Sequence, residues 1–341
     1  MTEPVLAADD LRVWYGTERG PVRAVDGVSF AVYEGETLGL VGESGCGKST
    51  LGRAILGLLP RGSAMDGSLR FKGSELVGLP RKELEGLRGP ELGLVFQEPM
   101  TRLNPLMRVS EHFEETLKIH EPGLGKKGMR ERAVEALRHV GIPPSRYDNY
   151  PHEFSGGMRQ RIMIALTLVL HPAFMVADEP TTALDVLVEA QILRLLGDLR
   201  QNFRTAMLLI THNLGIVAEA CDRVAVMYAG RIVEIGDARE VFAEPKHPYT
   251  RELLASTISL HTTDLHSIPG APPDLADPPS GCRFHLRCPD AMRVCVEKAP
   301  VPVRLETGQR TECWLHGPHD QVPANGTEPL EREAISVADE A

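Results

Sequence analysis

Long apolar runs are missing from this chain of 341 residues. The longest, "IMIALTLVLHPAFMVA" at 162–177, falls short of the roughly 20 residues that a membrane-spanning helix needs and is broken by His171-Pro172. It is expected to fold as a buried helix followed by a buried strand. The first residues, "MTEPVLAADDLRV", have neither a basic nor an apolar stretch, so no secretory leader is expected. The chain therefore reads as cytosolic, with nothing to prevent it from sitting against a membrane protein. Positive charge is in deficit as well: the formal net charge of −10 argues against non-specific nucleic-acid binding. Six acids against one arginine in residues 317–341 account for half of that charge. Few large apolar side chains accompany them, and the segment reads as a disordered acidic tail. No internal repeat and no heptad run is found. Cysteine is sparse too, six in all, and no C-x₂-C knuckle of the common structural zinc type occurs.

What is present is an alternation of short apolar runs with helical patterns. "VSFAVYEGETLGLVG" at 28–42 reads as a strand, a turn at Glu34-Gly35 and a short buried strand. "KSTLGRAILGLL" at 48–59 has helical composition and is expected to stop at Pro60. From 161 onward "RIMIALTLVL", "FMVADEP", "VEAQILRLLGDLRQNF" and "TAMLLITH" alternate helix and strand. Buried strands alternating with helices predict an α/β fold with a mostly parallel sheet. Residues 98–160, richer in charge and helical pattern, read as a separate helical subdomain between the core segments 1–97 and 161–240. After about 240 the texture turns Pro-rich, Cys-rich and irregular, giving an extension over 241–316 and the acidic tail over 317–341.

"GESGCGKST" at 42–50 fits G-x-x-x-x-G-K-[ST]. It follows an expected strand and opens an expected helix, the context that this motif needs. Glycines let backbone N–H groups turn toward phosphate oxygens, and a helix N-terminus adds a favourable dipole. Gly42, Ser44, Gly45, Cys46, Gly47, Lys48, Ser49 and Thr50 make up this stretch. Lys48 is placed to reach the β- and γ-phosphates of a nucleotide, and Ser49 to bind Mg²⁺. "FMVADEP" at 174–180 delivers Asp178 and Glu179 to the C-terminal edge of a buried strand, where α/β sheets gather ligands. Asp178 suits the Mg²⁺ shell, and Glu179 suits polarising the water that attacks the γ-phosphate. "FSGGMRQR" at 154–161 makes a second anion-binding helix start. It is useful only if two chains face each other, with Ser155, Gly156 and Gly157 of one closing over the ATP held by the other.

In these motifs the chain resembles the ATP-binding subunits of ABC transporters, over residues 10–240. "GESGCGKST" resembles their Walker A, "FMVADEP" their Walker B and "FSGGMRQ" their signature, with Met158 where many members carry Gln. The resemblance implies roles for further residues. Gln97 in "VFQEP" would sense Mg²⁺ and the attacking water, Asp185 in "TTALD" would be the D-loop acid, and His212 in "LLITHNL" would contact the γ-phosphate. Tyr15 in "LRVWYG" would stack on adenine. With Glu179 and His212 both present, a hydrolysing subunit is implied. Glu153 and the loop "QEPMTRLNP" resemble the surface that meets the membrane subunits, as does the 98–160 segment generally.

Beyond 240, "HPYTRELL" and "IPGAPPDLADPPSGCRFHLRC" resemble the oligopeptide, dipeptide and nickel uptake branch. That branch implies a second, often non-identical ATPase subunit, two transmembrane permease subunits and an extracytoplasmic peptide-binding protein. It places the chain on the cytoplasmic face of the cell membrane, held there peripherally. Import of di- or oligopeptides is the expected function, with nickel or another small solute as the alternative. A soluble ATPase acting on DNA or ribosomes and a redox-regulated subunit are the readings from other classes.

Cys282, Cys288, Cys295 and Cys313 lie within 32 residues, spaced C-x₅-C-x₆-C-x₁₇-C. Disulfides do not suit a reducing compartment, whereas four thiolates in an irregular segment suit a metal, Zn²⁺ or an iron–sulfur cluster. Reduced, unliganded cysteines are the remaining alternative. Relatives with this cysteine pattern imply a [4Fe–4S] cluster, structural in role. Cys46 fills a free place in the phosphate loop, and Cys221, in "GIVAEACDRVAVM", reads as a buried core residue.

Overall fold

Short apolar runs form the centre of the molecule because they can be buried on both faces only in a parallel sheet covered by helices. The computed structural model describes residues 3–18, 20–95, 103–182, 184–256, 267–318, 322 and 326–329. Its strands in chain order are β1 (Leu6–Thr17), β2 (Gly20–Val32), β3 (Thr37–Val41), β4 (Ser63–Phe71), β5 (Ser74–Glu75) and β6 (Leu92–Val95), followed by β7 (Phe174–Asp178), β8 (Ala206–Ile210), β9 (Arg223–Tyr228), β10 (Arg231–Asp237), β11 (Val303–Arg304) and β12 (Arg310–Thr311). One sheet has the order β11-β12-β10-β9-β3-β8-β7-β6. From β9 to β6 every neighbouring pair is parallel, and the antiparallel β10, β12 and β11 extend that edge.

A second, antiparallel sheet of order β2-β1-β4-β5 stands beside it and was not expected from the sequence. The reason is local. Within β1, Asp10 has φ 47 and the pairing slips between Ala8 and Leu11, so the apolar alternation loses its phase at a bulge. Leu11, Val13, Val25, Val28 and Phe30 from this sheet share one core with Leu51 and Ile55 of the helix Lys48–Ile55 and with Leu38 and Leu40 of β3. The helices Val109–His120, Lys126–His139 and Gly156–Leu168 bury Phe113, Leu117, Leu137 and Ile162 in a second core. Ala177 and Leu209 of the parallel sheet pack into that second core too.

Two sequence expectations shift in detail. The helix after the phosphate loop ends at Ile55, not at Pro60, because Gly57 adopts φ +60. The Gly57 N–H bonds the Ala54 carbonyl and the Leu58 N–H bonds the Arg53 carbonyl, the paired closure of a left-handed C-cap. The acidic tail, expected without fixed structure from 317, is anchored at 326–329. There the N–H groups of Arg293 and Val294 donate to the Glu328 and Gly326 carbonyls, and Pro329 bridges to Met292.

The Cys-rich extension does not stand apart from the α/β core. Tyr249 of the helix Pro248–Ala255, with Phe284 and Cys288, joins a core that also holds Val41, Val224 and Tyr228. The rings of Tyr228 and Tyr249 lie 4.5 Å apart, and Phe284 sits 5.1 and 5.3 Å from them.

Candidate nucleotide site

The phosphate loop leaves the fully buried β3 at Gly42 and enters the helix at Lys48. Two glycines are obligatory here for space as well as for φ. A Cβ on Gly42 (φ +150) would lie 2.1 Å from the Met227 carbonyl oxygen, and one on Gly47 (φ +111) 2.0 Å from that of Ala24. The Lys48 ammonium is buried and donates to the carbonyls of Gly42 (2.7 Å) and Glu43 (2.9 Å). It is thus held at the mouth of the loop, where phosphate oxygens would replace those carbonyls. Cys46 is buried under the loop with Sγ 3.8 Å from Lys48 Nζ, and burial pushes its thiol up. It packs rather than reaches into the cleft.

Ser49 Oγ donates to Asp178 Oδ1 at 3.2 Å, which brings together the two oxygens expected around Mg²⁺. Burial raises the Asp178 carboxyl above its ordinary value, and the neighbouring Glu179 charge adds to this, against the Ser49 hydrogen bond. A carboxylate so placed is short of positive charge, and that donor chemistry fits a divalent cation. Glu179 follows at φ 46, a left-handed conformation in a non-glycine residue. Its N–H donates to the Ile210 carbonyl, Thr182 Oγ1 donates to its Oε2 at 2.9 Å, and its Oε1 is 3.4 Å from His212 Nδ1. The carboxylate is thereby aimed from the strand end into the cleft beside the largely exposed His212 ring.

The cleft has a volume of about 490 Å³ and is lined by Ser44, Gly45, Gly47, Lys48, Ser49, Thr50, Glu179 and His212, with Tyr15, Val22, Ala24 and Leu275. Tyr15 pairs with Val22 across β1 and β2 and donates its hydroxyl to Thr50 Oγ1 at 2.9 Å. Its ring therefore borders the cleft. Thr182, Val22, Ala24 and Leu275 were not anticipated. Thr182 falls within "TTALD", where only Asp185 was assigned a role, Val22 and Ala24 carry no motif, and Leu275 arrives from the extension, 200 residues or more away from most of the lining residues.

Ser155, Gly156 and Gly157 are not among the residues lining this cleft. Ser155 caps the helix Gly156–Leu168, accepting the Met158 N–H at 3.4 Å. Asp185 begins the helix Val186–Phe203 from an exposed position. The Glu153 carboxylate closes its own turn, accepting the Tyr150 N–H and the Asn149 amide at 2.6 and 2.8 Å. Gln97 and most of "QEPMTRLNP" lie outside the described residues.

All four clustered cysteines are free thiols. Burial raises each of them, Cys288 and Cys313 to about 12, and the four lie within electrostatic reach of one another. Backbone N–H groups of Phe284, Asp290, Met292 and Leu315 point at Cys282, Cys288, Cys295 and Cys313 respectively. Against the expectation of a metal site, no three His, Cys, Asp or Glu side chains among the described residues form a group that could hold a metal ion. Cys221 is half-buried and burial pushes its thiol to about 12, as befits a packing residue.

Among the described residues no helix is long and apolar enough to cross a membrane. Residues 25–182 match the ABC transporter family, and residues 233–295 match the oligopeptide/dipeptide transporter C-terminal region. The chain is 47% identical to the dipeptide transport ATP-binding protein DppD of Bacillus subtilis, over 92% of this chain and 95% of that one. It is 48% identical to the oligopeptide transport ATP-binding protein OppD of Salmonella typhimurium, over 91% and 93%. Among solved structures, the dimeric post-hydrolysis ATP-binding cassette MJ0796 bound to ADP and Pi aligns with a TM-score of 0.61 at 26% identity, covering 69% of this chain and 99% of that one. CbiO1 of Clostridium perfringens, part of an ABC transporter complex, aligns at 0.62 and 30%, covering 71% and 92%. With the phosphate loop, the Ser49–Asp178 pair and Glu179 assembled on this fold, the chain belongs to the ATP-binding subunits of ABC transporters, in the oligopeptide/dipeptide family.

Proposed function

We propose that this protein is the ATP-hydrolysing motor of an importer that carries di- or oligopeptides across the cell membrane. The observation that carries the cargo class is similarity to dipeptide and oligopeptide ATP-binding proteins over more than nine-tenths of the chain, running through the C-terminal extension. In this reading residues 1–97 and 161–240 are the ATPase core and 98–160 the arm that meets the permease subunits. Residues 241–316 are the family extension, followed by the acidic tail.

ATP sits in the cleft with its phosphates on the loop N–H groups and Lys48, and its base against Tyr15. Ser49, Asp178 and Gln97 hold Mg²⁺, which when bound neutralises charge on the transferring phosphoryl group. Glu179 orients the attacking water and takes up its proton, with His212 at the γ-phosphate. Ser155, Gly156 and Gly157 of this chain close over the nucleotide held by a second, non-identical ATPase subunit. Closure favours one state of the pair, and hydrolysis releases it, which is a population shift that permease subunits can convert into transport. The protein is held at the cytoplasmic face by two permease subunits, and an extracytoplasmic binding protein delivers the cargo.

Cys282, Cys288, Cys295 and Cys313 hold an iron–sulfur cluster of structural role. What supports this reading is the chemistry of four soft donors, Cys282 half-buried and the other three buried, each receiving a backbone N–H. ATP-driven uptake of labelled di- and tetrapeptides and of ⁶³Ni²⁺ into vesicles bearing the complete transporter tests the cargo. Peptide uptake above the no-ATP level is expected, and nickel uptake alone would overturn the assignment.

A further inference from the structure

Glu43 stands inside the phosphate loop, where a carboxylate would repel the phosphates that the loop must hold. Its charge is taken up by the Cys-rich extension. Arg287 grips it with both terminal nitrogens, Nη1 to Oε2 at 2.7 Å and Nη2 to Oε1 at 2.9 Å, and is only 5% exposed. The same guanidinium donates to the Tyr228 hydroxyl at 3.3 Å and to the Pro269 carbonyl at 2.8 Å. The planar fork therefore ties the loop, the sheet and the extension in one fixed geometry.

The backbone of Glu43 is fixed as well. Its N–H donates to the Tyr249 hydroxyl at 2.9 Å, and Tyr249 is fully buried against Tyr228 and Phe284. Its carbonyl is one of the two on which Lys48 rests. The phosphate-binding lysine thus takes its position from a residue that the extension holds by carboxylate and by amide. Leu275, six residues past the Pro269 carbonyl that Arg287 anchors, reaches the cleft itself. Its carbonyl accepts the N–H of Arg23 at 2.9 Å, the residue after Val22, which pairs with Tyr15; Leu275, Val22 and Tyr15 all line the cleft.

We propose that the C-terminal extension is a working part of the nucleotide site: Arg287 and Tyr249 are positioning residues that fix the phosphate loop through Glu43, and Leu275 closes the base side of the cleft. The proposal rests on the cleft being an ATP site. The phosphate grip it stabilises is used equally by bound ATP and by the transition state, so its loss falls on KM and not on kcat.

The test uses the full-length chain in the assembled transporter, with KM and kcat for ATP, and Kd for a fluorescent ATP analogue on the isolated full-length chain. Arg287→Met is expected to raise KM and Kd about tenfold, the scale of coupling within one hydrogen-bonded network, with kcat within about twofold. Glu43→Gln is expected to do the same, and the double variant to be no worse than the worse single one. Arg287→Lys restores a charge without the fork and falls between. Leu275→Ala raises KM by a smaller factor. Variants that lower only the unfolding midpoint, with KM and Kd at wild-type values, would overturn the proposal, as would additive effects of Arg287→Met and Glu43→Gln. If Arg287→Met fails to fold, Glu43→Gln decides alone, because the amide keeps one acceptor oxygen for the Arg287 guanidinium. Failure of the unaltered chain to bind the analogue would instead sink the ATP reading itself.

Discussion

Replacing Glu179 by Gln separates the chemistry of the site from its architecture. The amide keeps the length and shape of the side chain and can occupy the same left-handed backbone position. Its oxygen still accepts from Thr182 Oγ1, and its NH₂ faces His212 Nδ1 in place of Oε1. Folding should therefore change by less than about 0.5 kcal/mol. The Lys48 contacts and the Ser49–Asp178 pair do not involve Glu179, so ATP should bind with a Kd within about threefold of the parent's. What the amide cannot do is take a proton from water. A positioned general base contributes about 10²–10⁴ in rate, or about 3–5 kcal/mol of barrier at roughly 1.4 kcal/mol per tenfold. Steady-state phosphate release by the complete transporter should fall by that factor, leaving the nucleotide trapped in a closed pair of ATPase subunits. Turnover within fivefold of the parent, with binding intact, would refute the assignment of Glu179 as the base.

Other outcomes follow from the geometry. Gly47→Ala puts a methyl 2.0 Å from the Ala24 carbonyl at φ +111, and should cost at least about 3 kcal/mol or abolish nucleotide binding; denaturant unfolding with analogue titration checks it. His247 is fully buried and burial pushes its imidazole down to about 3, against 6.5 in the unfolded chain. The unfolded chain binds the extra proton, so stability falls as pH drops below 6.5, by about 2 kcal/mol between pH 7 and 5. Asn at 247 can keep the helix cap that His247 Nδ1 gives the Tyr249 N–H and should remove that slope; identical slopes in urea titrations would contradict the burial argument. Protein purified without oxygen should carry about four irons and four acid-labile sulfides per chain, lost in Cys288→Ser; elemental analysis showing one zinc, or no metal, would exclude the cluster.

The residues around the phosphates were legible because their spacing encodes a local turn. A glycine-rich loop between strand and helix, and an acidic pair ending an apolar strand, are written within ten residues each. The parallel sheet was legible for a similar reason, since β3, β7 and β8 are short runs buried along nearly their whole length. The antiparallel sheet was not, because the bulge at Asp9-Asp10 breaks the alternation that would mark β1. Nor was the end of the first helix, where a proline drew attention that Gly57 warranted. The grip of Arg287 on Glu43 spans 244 residues, and "FHLRC" carries no pattern that points to it. Long-range pairings of this kind depend on how the extension folds back onto β9 and β10, which local propensity does not encode.

The central claim is that this chain turns ATP hydrolysis into peptide import. The most direct measurement is the ATPase rate of the reconstituted transporter with its extracytoplasmic binding protein, with and without peptide. The account predicts Mg²⁺-dependent hydrolysis that rises several-fold on adding peptide-loaded binding protein and vanishes in the Glu179→Gln chain. Hydrolysis indifferent to every di- and oligopeptide tried, or stimulated by nickel alone, would contradict it.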